Sequence, residues 1–312
     1  MENRTEHPKR PLKVGIGLPD AIGQMHGGTA RWSDLEAMAK LAEDVGFDSV
    51  WVEDHLLFRP PVTASATEGP WECFSMLAGL AVATKRVEIG PLVACTAFRN
   101  PAITAKMADT IEEMSNGRLI LGLGAGWHKP EYDAFGIPFD HLASRFEEAL
   151  HIITSLLRDG QVDFEGNYYQ ARECELQPRG PRASGPPILI GARKPRMLRL
   201  CAQHADMWNQ YFPSEIEPLL ADVDAACEDV GRDPVSLERT IAVWADFTNG
   251  KMIPSTANPG NRPGLAGTPE EMAQRLRDYA ALGISHVQIW LEPNNLAGIE
   301  ACAPVLELLD RG

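Results

Sequence analysis

Three short stretches hold side chains whose types and spacing suit chemistry. Glu53-Asp54-His55 places two carboxylates and an imidazole directly after the apolar run Asp48–Val52. An Asp-His pair there could work as acid and base near neutral pH; a structural histidine beside a turn-capping aspartate is the plainer alternative. Gly191-Ala192-Arg193-Lys194-Pro195-Arg196 follows a second apolar run. Glycine turns the chain and proline starts a helix whose first amides, with Arg193 and Lys194, suit a phosphate; a solvated basic turn is the alternative. Gly122-Leu123-Gly124-Ala125-Gly126-Trp127 reads as a tight loop for a flat cofactor or as glycines at a crowded rim. The dinucleotide fingerprint is rejected, because its sixth position needs glycine and this chain has Trp127. His128-Lys129-Pro130 is also not expected to open the crossover helix of that motif.

No metal site is expected. Metal-dependent amidohydrolase barrels carry H-x-H on the first strand, where this chain reads Val14-Gly15-Ile16-Gly17-Leu18, and H-E-x-x-H does not occur. The six cysteines (Cys73, Cys95, Cys174, Cys201, Cys227 and Cys302) form no C-x-x-C pair and do not cluster with histidines. They imply neither zinc nor a disulfide framework, and suggest a reducing cytoplasm.

The elements that must position these residues alternate. Strands are expected at Lys13–Pro19, Asp48–Val52, Val87–Cys95, Arg118–Leu123, Pro187–Gly191, Asp206–Tyr211, Thr240–Phe247 and His286–Leu291. Between them, helical spacing marks a first helix capped by Ser33 with Glu36, then Trp71–Thr84, Pro101–Met114, His141–Arg158, Pro195–His204 and Glu215–Val230. A helix opened by Thr268 with Glu271, and a last one over Gly298–Leu309, complete the series. Asp159–Pro187 interrupts the alternation as an excursion, a small hairpin with an extended piece at Asn167–Gln170. Phe247–Gly267 is a second irregular stretch.

Eight short strands, apolar on both faces, point to one (β/α)8 TIM barrel over residues 13–312 after an N-terminal tail of residues 1–12. It carries an insertion before strand five and a long loop after strand seven; a doubly wound open sheet is the alternative. In a barrel, residues just beyond the strands form the active face. That rule selects Glu53, Asp54 and His55; Ala94, Cys95 and Thr96; Gly124, Gly126, Trp127 and His128; Gly191 to Lys194; Trp208 to Tyr211; and Glu292. His286, at the opposite end of its strand, reads as structural. Trp32, Phe58, Trp71, Trp127 and Phe212 are candidates for an apolar substrate pocket, although aromatics are more often core.

With 312 residues, 44% of them hydrophobic, the chain can bury a large core. A net charge of −14 speaks against a phosphate-backbone partner, so no nucleic acid is expected. Met1–Pro11 lacks the apolar segment of a secretory signal, and no run approaches the roughly 18 residues of a membrane span, so no membrane is expected.

Gly46-Phe47-Asp48-Ser49-Val50-Trp51-Val52-Glu53-Asp54-His55-Leu56 resembles a signature of the luciferase-like flavin monooxygenase superfamily, which includes the F420-dependent oxidoreductases. Phe98–Pro101, Ala105–Met107, Gly117–Leu119, Leu121–Trp127, Tyr132–Gly136, Arg145–Leu150, Phe164–Gly166 and Pro186–Gly191 look like the same family. The matches run from about residue 13 to residue 291; each alone is weak and together they are specific. The resemblance implies the barrel with its insertion, and F420 (alternatively FMN) with its ring in the mouth. It implies a proton-shuttling His55 beside Asp54, and a non-prolyl cis peptide around Leu92 to Cys95, which brings in Val93. The phosphate would lie near Gly191. Two positions depart from the family's pattern. Trp127 stands where the sugar-phosphate dehydrogenases carry a catalytic glutamate, which speaks against such a substrate. Ala192 stands where relatives often have a second glycine.

The expected activity is F420-dependent hydride transfer to or from a small organic substrate, with Thr248–Gly267 as a closing lid or a plain surface loop. The alternative is an FMNH2-dependent monooxygenase fed by a flavin reductase partner, and the next a flavin-binding barrel without turnover. A hydrolytic barrel using Asp54 or Glu292 is the remaining class. A homodimer is the assembly that the resemblance implies.

Overall fold

In the computed structural model the described residues are 10–25, 28–58, 69–211, 215–247 and 264–311. Strands β1 (Lys13–Gly17), β2 (Ser49–Val52), β3 (Glu88–Pro91), β4 (Ala94–Cys95) and β5 (Leu121–Gly124) alternate with helices α1 (Trp32–Val45), α2 (Cys73–Ala83) and α3 (Pro101–Met114). A short α4 (Lys129–Phe135), the longer α5 (Leu142–Asp159) and a hairpin of β6 (Gln161–Glu165) and β7 (Gln170–Glu175) follow. Then come β8 (Ile188–Gly191), α6 (Pro195–His204), β9 (Met207–Tyr211), α7 (Glu217–Asp229), β10 (Glu238–Asp246), β11 (Gly264–Ala266), α8 (Pro269–Ala281), β12 (Ile284–Glu292) and α9 (Leu296–Asp310).

The main sheet runs β3-β2-β1-β12-β10-β9-β8-β5-β4, with β11 beside β10. Every neighbouring pair in it is parallel. β3 and β4 are two halves of one barrel strand, broken at the cis peptide Leu92-Val93. The ring closes because the segment leading into β5 also meets β3: the Ile89 N–H donates to Arg118 O at 3.0 Å and the Ile120 N–H to Ile89 O at 2.9 Å. Eight parallel strands therefore close into a (β/α)8 barrel, and the open-sheet alternative falls. The hairpin is the insertion before the fifth barrel strand.

Each strand buries both faces. Along β2, Val50 and Val52 join the layer between strands and helices. Trp51 points into the barrel with Leu92, Ile120, Leu189, Met207, Ala242, Trp244 and Trp290. At the N-terminal end of the barrel, the Trp51 indole donates to Ser49 Oγ, and the Ser49 hydroxyl is hydrogen-bonded to His286 Nε2, both at 2.7 Å. Burial, with the Lys13 charge behind it, lowers the His286 pKa to about 3, so the ring is neutral. His286 is structural, as its place in the strand implied.

Several expectations change at element ends. α1 starts at Trp32, and Asp34, not Glu36, accepts the Arg31 N–H at 2.8 Å; Glu36 pairs along the helix with Lys40 at 2.5 Å. α2 starts at Cys73 because the Glu72 carboxylate accepts from the N–H groups of Phe74 and Ser75, at 3.3 and 2.7 Å. The single strand expected over Val87–Cys95 is split by the bulge at Leu92-Val93. A helix does open after His128, as the seven-residue α4. In the hairpin, Asn167–Gln170 is mostly turn; the Glu148 carboxylate on α5 accepts from the N–H groups of Asn167, Tyr168 and Tyr169 at 2.8, 2.8 and 3.0 Å. The capping box of Thr268 and Glu271 on α8 forms as read. Of the stretch Thr248–Gly267, residues 264–266 form β11; residues 248–263, like residues 1–9, lie outside the described residues. Among the described residues, no helix is long and apolar enough to cross a membrane.

Candidate active site

The C-terminal ends of the barrel strands bring together most of the side chains singled out from sequence. At the end of β2, Asp54 is buried, at 4% exposure. Its carboxylate accepts both arms of the Arg99 guanidinium, at 2.8 and 2.9 Å, and the Cys95 N–H at 2.9 Å. Arg99 also lies 4.7 Å over the Phe74 ring. Asp54 thus ties β2 to β4 and to the loop before α3. Its acceptor sites are largely taken up in doing so, which suits holding the backbone more than passing protons.

His55 is held differently. Its Nδ1 lies 3.0 and 3.2 Å from the two oxygens of Glu131, on the first turn of α4. Glu131 is buried and also accepts the Leu56 N–H at 2.9 Å. Burial disfavours the imidazolium, but the Glu131 carboxylate, with Glu53 and Asp54 nearby, outweighs it and raises the His55 pKa. Sequence reasoning missed Glu131. The available signal was its place one residue after Pro130, in the first turn of a helix beginning at the barrel rim.

An aromatic group stands over this pair. His55 meets Trp127 and Phe58 edge-on, each at 5.8 Å between ring centres. Phe58 stacks on His128 at 4.8 Å. Trp127 is 64% exposed at the mouth. The other aromatic candidates do not join them. Trp32 packs against Gly79 of α2, the Trp71 indole donates to Ala30 O at 2.9 Å, and Phe212 lies outside the described residues. Trp208 is buried in the strand–helix layer.

The glycine loop and the bulge explain each other. A Cβ on Gly124 would lie 2.7 Å from Val93 Cγ2, so the bulge at Val93 occupies the space a side chain would need. Gly126 has φ +77°, and a Cβ there would lie 1.9 Å from the Tyr132 hydroxyl and 2.7 Å from Cys95 Sγ. That hydroxyl donates to Ala125 O at 3.0 Å and accepts the Cys95 thiol at 3.0 Å. The thiol is pushed up to about 12 by burial, so it is not a nucleophile. Thr96 closes the bulge, its N–H donating to Gly124 O at 3.0 Å. Val93, Ala94, Cys95, Thr96 and Gly124 therefore form one continuous wall.

Gly191 borders that wall, with space for a Cβ at 3.5 Å from Val93. Ala192 is buried, its carbonyl accepting the Trp208 indole at 2.8 Å. Arg193 and Lys194 are exposed. Lys194 is the extended N-cap of α6, with no side-chain acceptor there and Pro195 following. Arg196, by contrast, is engaged with Glu147 at 2.6 Å and Ser144 at 3.1 Å.

A second carboxylate group lies beyond β1 and β2. Glu53 accepts from the Tyr211 hydroxyl at 2.8 Å and from Gln24 at 3.2 Å, and its own N–H donates to Asp20 at 2.8 Å. Burial first, then the Glu53 charge, raise the Asp20 pKa well above the usual carboxylate range. Glu292 ends β12 in register with Asp246 of β10. Among the described residues, no group of three or more His, Cys, Asp or Glu could hold a metal ion.

The model of the luciferase-like monooxygenase domain matches residues 12–247. The chain belongs to the luciferase-like monooxygenase family. Members of the family resemble it over part of their length. A 5,10-methylenetetrahydromethanopterin reductase of Archaeoglobus fulgidus is 33% identical over 204 residues, 65% of this chain and 57% of the relative. A pyrimidine monooxygenase RutA of Cronobacter sakazakii is 35% identical over 173 residues, 52% of this chain and 50% of the relative. The chain thus spans between half and two thirds of the length of these relatives. Among solved structures, an F420-dependent secondary alcohol dehydrogenase bound to an F420-acetone adduct superposes with a TM-score of 0.78 at 22% identity, covering 96% of this chain and 99% of that one. The monooxygenase RslO1 of Streptomyces bottropensis gives 0.75 at 19% identity, covering 96% and 98%. At those identities the superpositions establish the luciferase-like barrel itself.

Proposed function

We propose that this luciferase-like protein is an oxidoreductase that binds the deazaflavin F420 in its barrel mouth and uses His55 to give or take a proton at a small organic substrate. One observation carries the reading. An imidazole at the C-terminal end of a barrel strand is held through Nδ1 by a buried carboxylate, beside a wall packed so closely that Val93 takes the space a side chain on Gly124 would need. The residues fit such a cofactor. Val93 and its neighbours would back the ring, Gly124 lets Val93 pack close behind it, Gly191 leaves open space beside Val93, and the start of α6 with Arg193 and Lys194 would offer amides and cations to a phosphate. The bound deazaflavin would supply hydride transfer to or from a carbonyl, an alcohol or an activated alkene. Asp54, fixed by Arg99, holds the backbone of Cys95 and so the wall in place. Trp127 and Phe58 cover the His55 ring and exclude water from part of it.

A second reading is an FMN-dependent monooxygenase, favoured by the likeness to pyrimidine monooxygenase RutA. It shares the wall and the α6 anchor, and needs a separate flavin reductase to provide reduced FMN. Under either reading the assembly is taken to be a homodimer and the compartment the cytoplasm. The deciding experiment is a side-by-side fluorescence titration of F420 and FMN, followed by turnover with carbonyls and enones. Tight F420 binding and His55-dependent turnover support the first reading, and preference for FMN supports the second. Stoichiometric binding with no redox change leaves a flavin-binding barrel, and binding of neither removes both redox readings.

A further inference from the structure

We propose that Glu131 is a positioning residue that fixes His55 as its Nδ1–H tautomer and leaves Nε2 as the nitrogen that meets a ligand. The role rests on the reading of His55 as the proton-handling group.

The geometry leaves the imidazole little choice. A carboxylate only accepts, so Nδ1, at 3.0 and 3.2 Å from its two oxygens, must carry the proton. Nε2 is then the nitrogen left to face a ligand, and it has no hydrogen-bond partner among the described residues. Glu131 cannot swing away. Its side chain is 2% exposed. It also accepts the Leu56 N–H, and Leu56 follows His55 directly, so acceptor and ring move as one unit. Its neighbour Tyr132 anchors α4 on the other side, through Ala125 O and Cys95. The two consecutive residues of α4 thus grip the end of β2 and the wall at β4 together.

Other charged groups surround the ring without substituting for Glu131. Asp54 is occupied by Arg99. Glu53 is occupied by Tyr211 and Gln24. Asp20 lies farther back, on the backbone N–H of Glu53. The rings of Phe58, Trp127 and His128 pack on the remaining sides, at 5.8, 5.8 and 6.3 Å between ring centres. Glu131 is the carboxylate in direct contact with the imidazole.

The sign of the effect follows. An adjacent carboxylate favours imidazolium, so removing its charge while keeping its shape must lower the His55 pKa. Glutamine at position 131 keeps the shape and one oxygen for the Leu56 N–H but puts an NH2 where the oxygen nearest Nδ1 stood, so it removes both the charge and the acceptor that favour the charged ring.

The test is an NMR titration of histidine-labelled protein without cofactor or substrate. The expected result is the Nδ1–H tautomer in the wild type at high pH, and a His55 pKa lowered by about one unit or more in Glu131→Gln. Glu131→Asp should restore part of the shift. If the wild type shows the Nε2–H tautomer, or if Glu131→Gln leaves the titration unmoved, the proposal is overturned; the tautomer measurement needs no variant to fold. With an active substrate, the high-pH limb of carbonyl reduction should move to lower pH in Glu131→Gln while the KM for cofactor holds. Failure of every substrate and cofactor would sink the redox reading and leave the NMR result standing.

Discussion

Arg99 grips both oxygens of Asp54, at 2.8 and 2.9 Å, while the Asp54 side chain is almost completely buried. The pair sits at the hinge between the end of β2 and the wall at β4, and it converts a charge that burial would penalise into a fixed support. Breaking one partner of such a pair strands the other. Arg99→Met should lower unfolding stability by about 3–5 kcal/mol. Removing Arg196 from its exposed pair with Glu147 should cost only about 0–1 kcal/mol. Urea denaturation of both variants checks this; equal losses would mean that Asp54 is solvated and not held.

The contact between Gly124 and Val93 yields a prediction about cofactor affinity. A methyl on Gly124 meets Val93 at 2.7 Å and must push the wall. Overpacking of this kind typically costs 1–3 kcal/mol, so Gly124→Ala should weaken F420 or FMN binding by roughly tenfold or more. Trimming Val93 to alanine in the same chain should recover most of the loss. No recovery in the double variant would place the ring away from this wall.

The cations beyond β8 should act on the phosphate. Replacing Arg193 and Lys194 together with alanine should cost roughly 1.5–3 kcal/mol of cofactor binding for each charge-assisted contact removed. The residual binding should depend less on salt. Arg196→Ala, already engaged with Glu147, should change little. Fluorescence titration at two salt concentrations distinguishes the three.

His286 gives the chain a titratable weakness remote from the mouth. Its folded pKa of about 3 lies below its ordinary value of 6.5, so the unfolded chain takes up a proton that the folded chain refuses. The stability it contributes is complete above pH 6.5. It falls by about 1.4 kcal/mol per pH unit as pH drops toward 3. His286→Gln should flatten this slope in urea melts between pH 6 and 4. An unchanged slope would assign the acid sensitivity to other groups.

Much of this protein was legible in its order of residues, because local patterning is a local property. Alternating apolar runs and capped helices, such as Thr268 with Glu271 ahead of α8, gave eight strands and the insertion. The run Gly46–Leu56 and the loop Leu121–Trp127 placed the mouth residues at strand ends, and the family match over residues 12–247 agrees with them. What sequence could not supply were relations between positions far apart. Glu131 meets His55 across 76 residues and Arg99 meets Asp54 across 45. Nothing in the spacing distinguishes these carboxylates from their solvated neighbours. The glycines of the rim read ambiguously for the same reason: the Val93 side chain that crowds Gly124 belongs to another strand, and only closing the barrel brings it there. Hydrophobic period and capping act over a few residues and survive as sequence signals. Charge compensation and close packing depend on which surfaces the closed barrel presses together, so only the tertiary structure decided which aspartate supports the backbone and which glutamate holds the histidine.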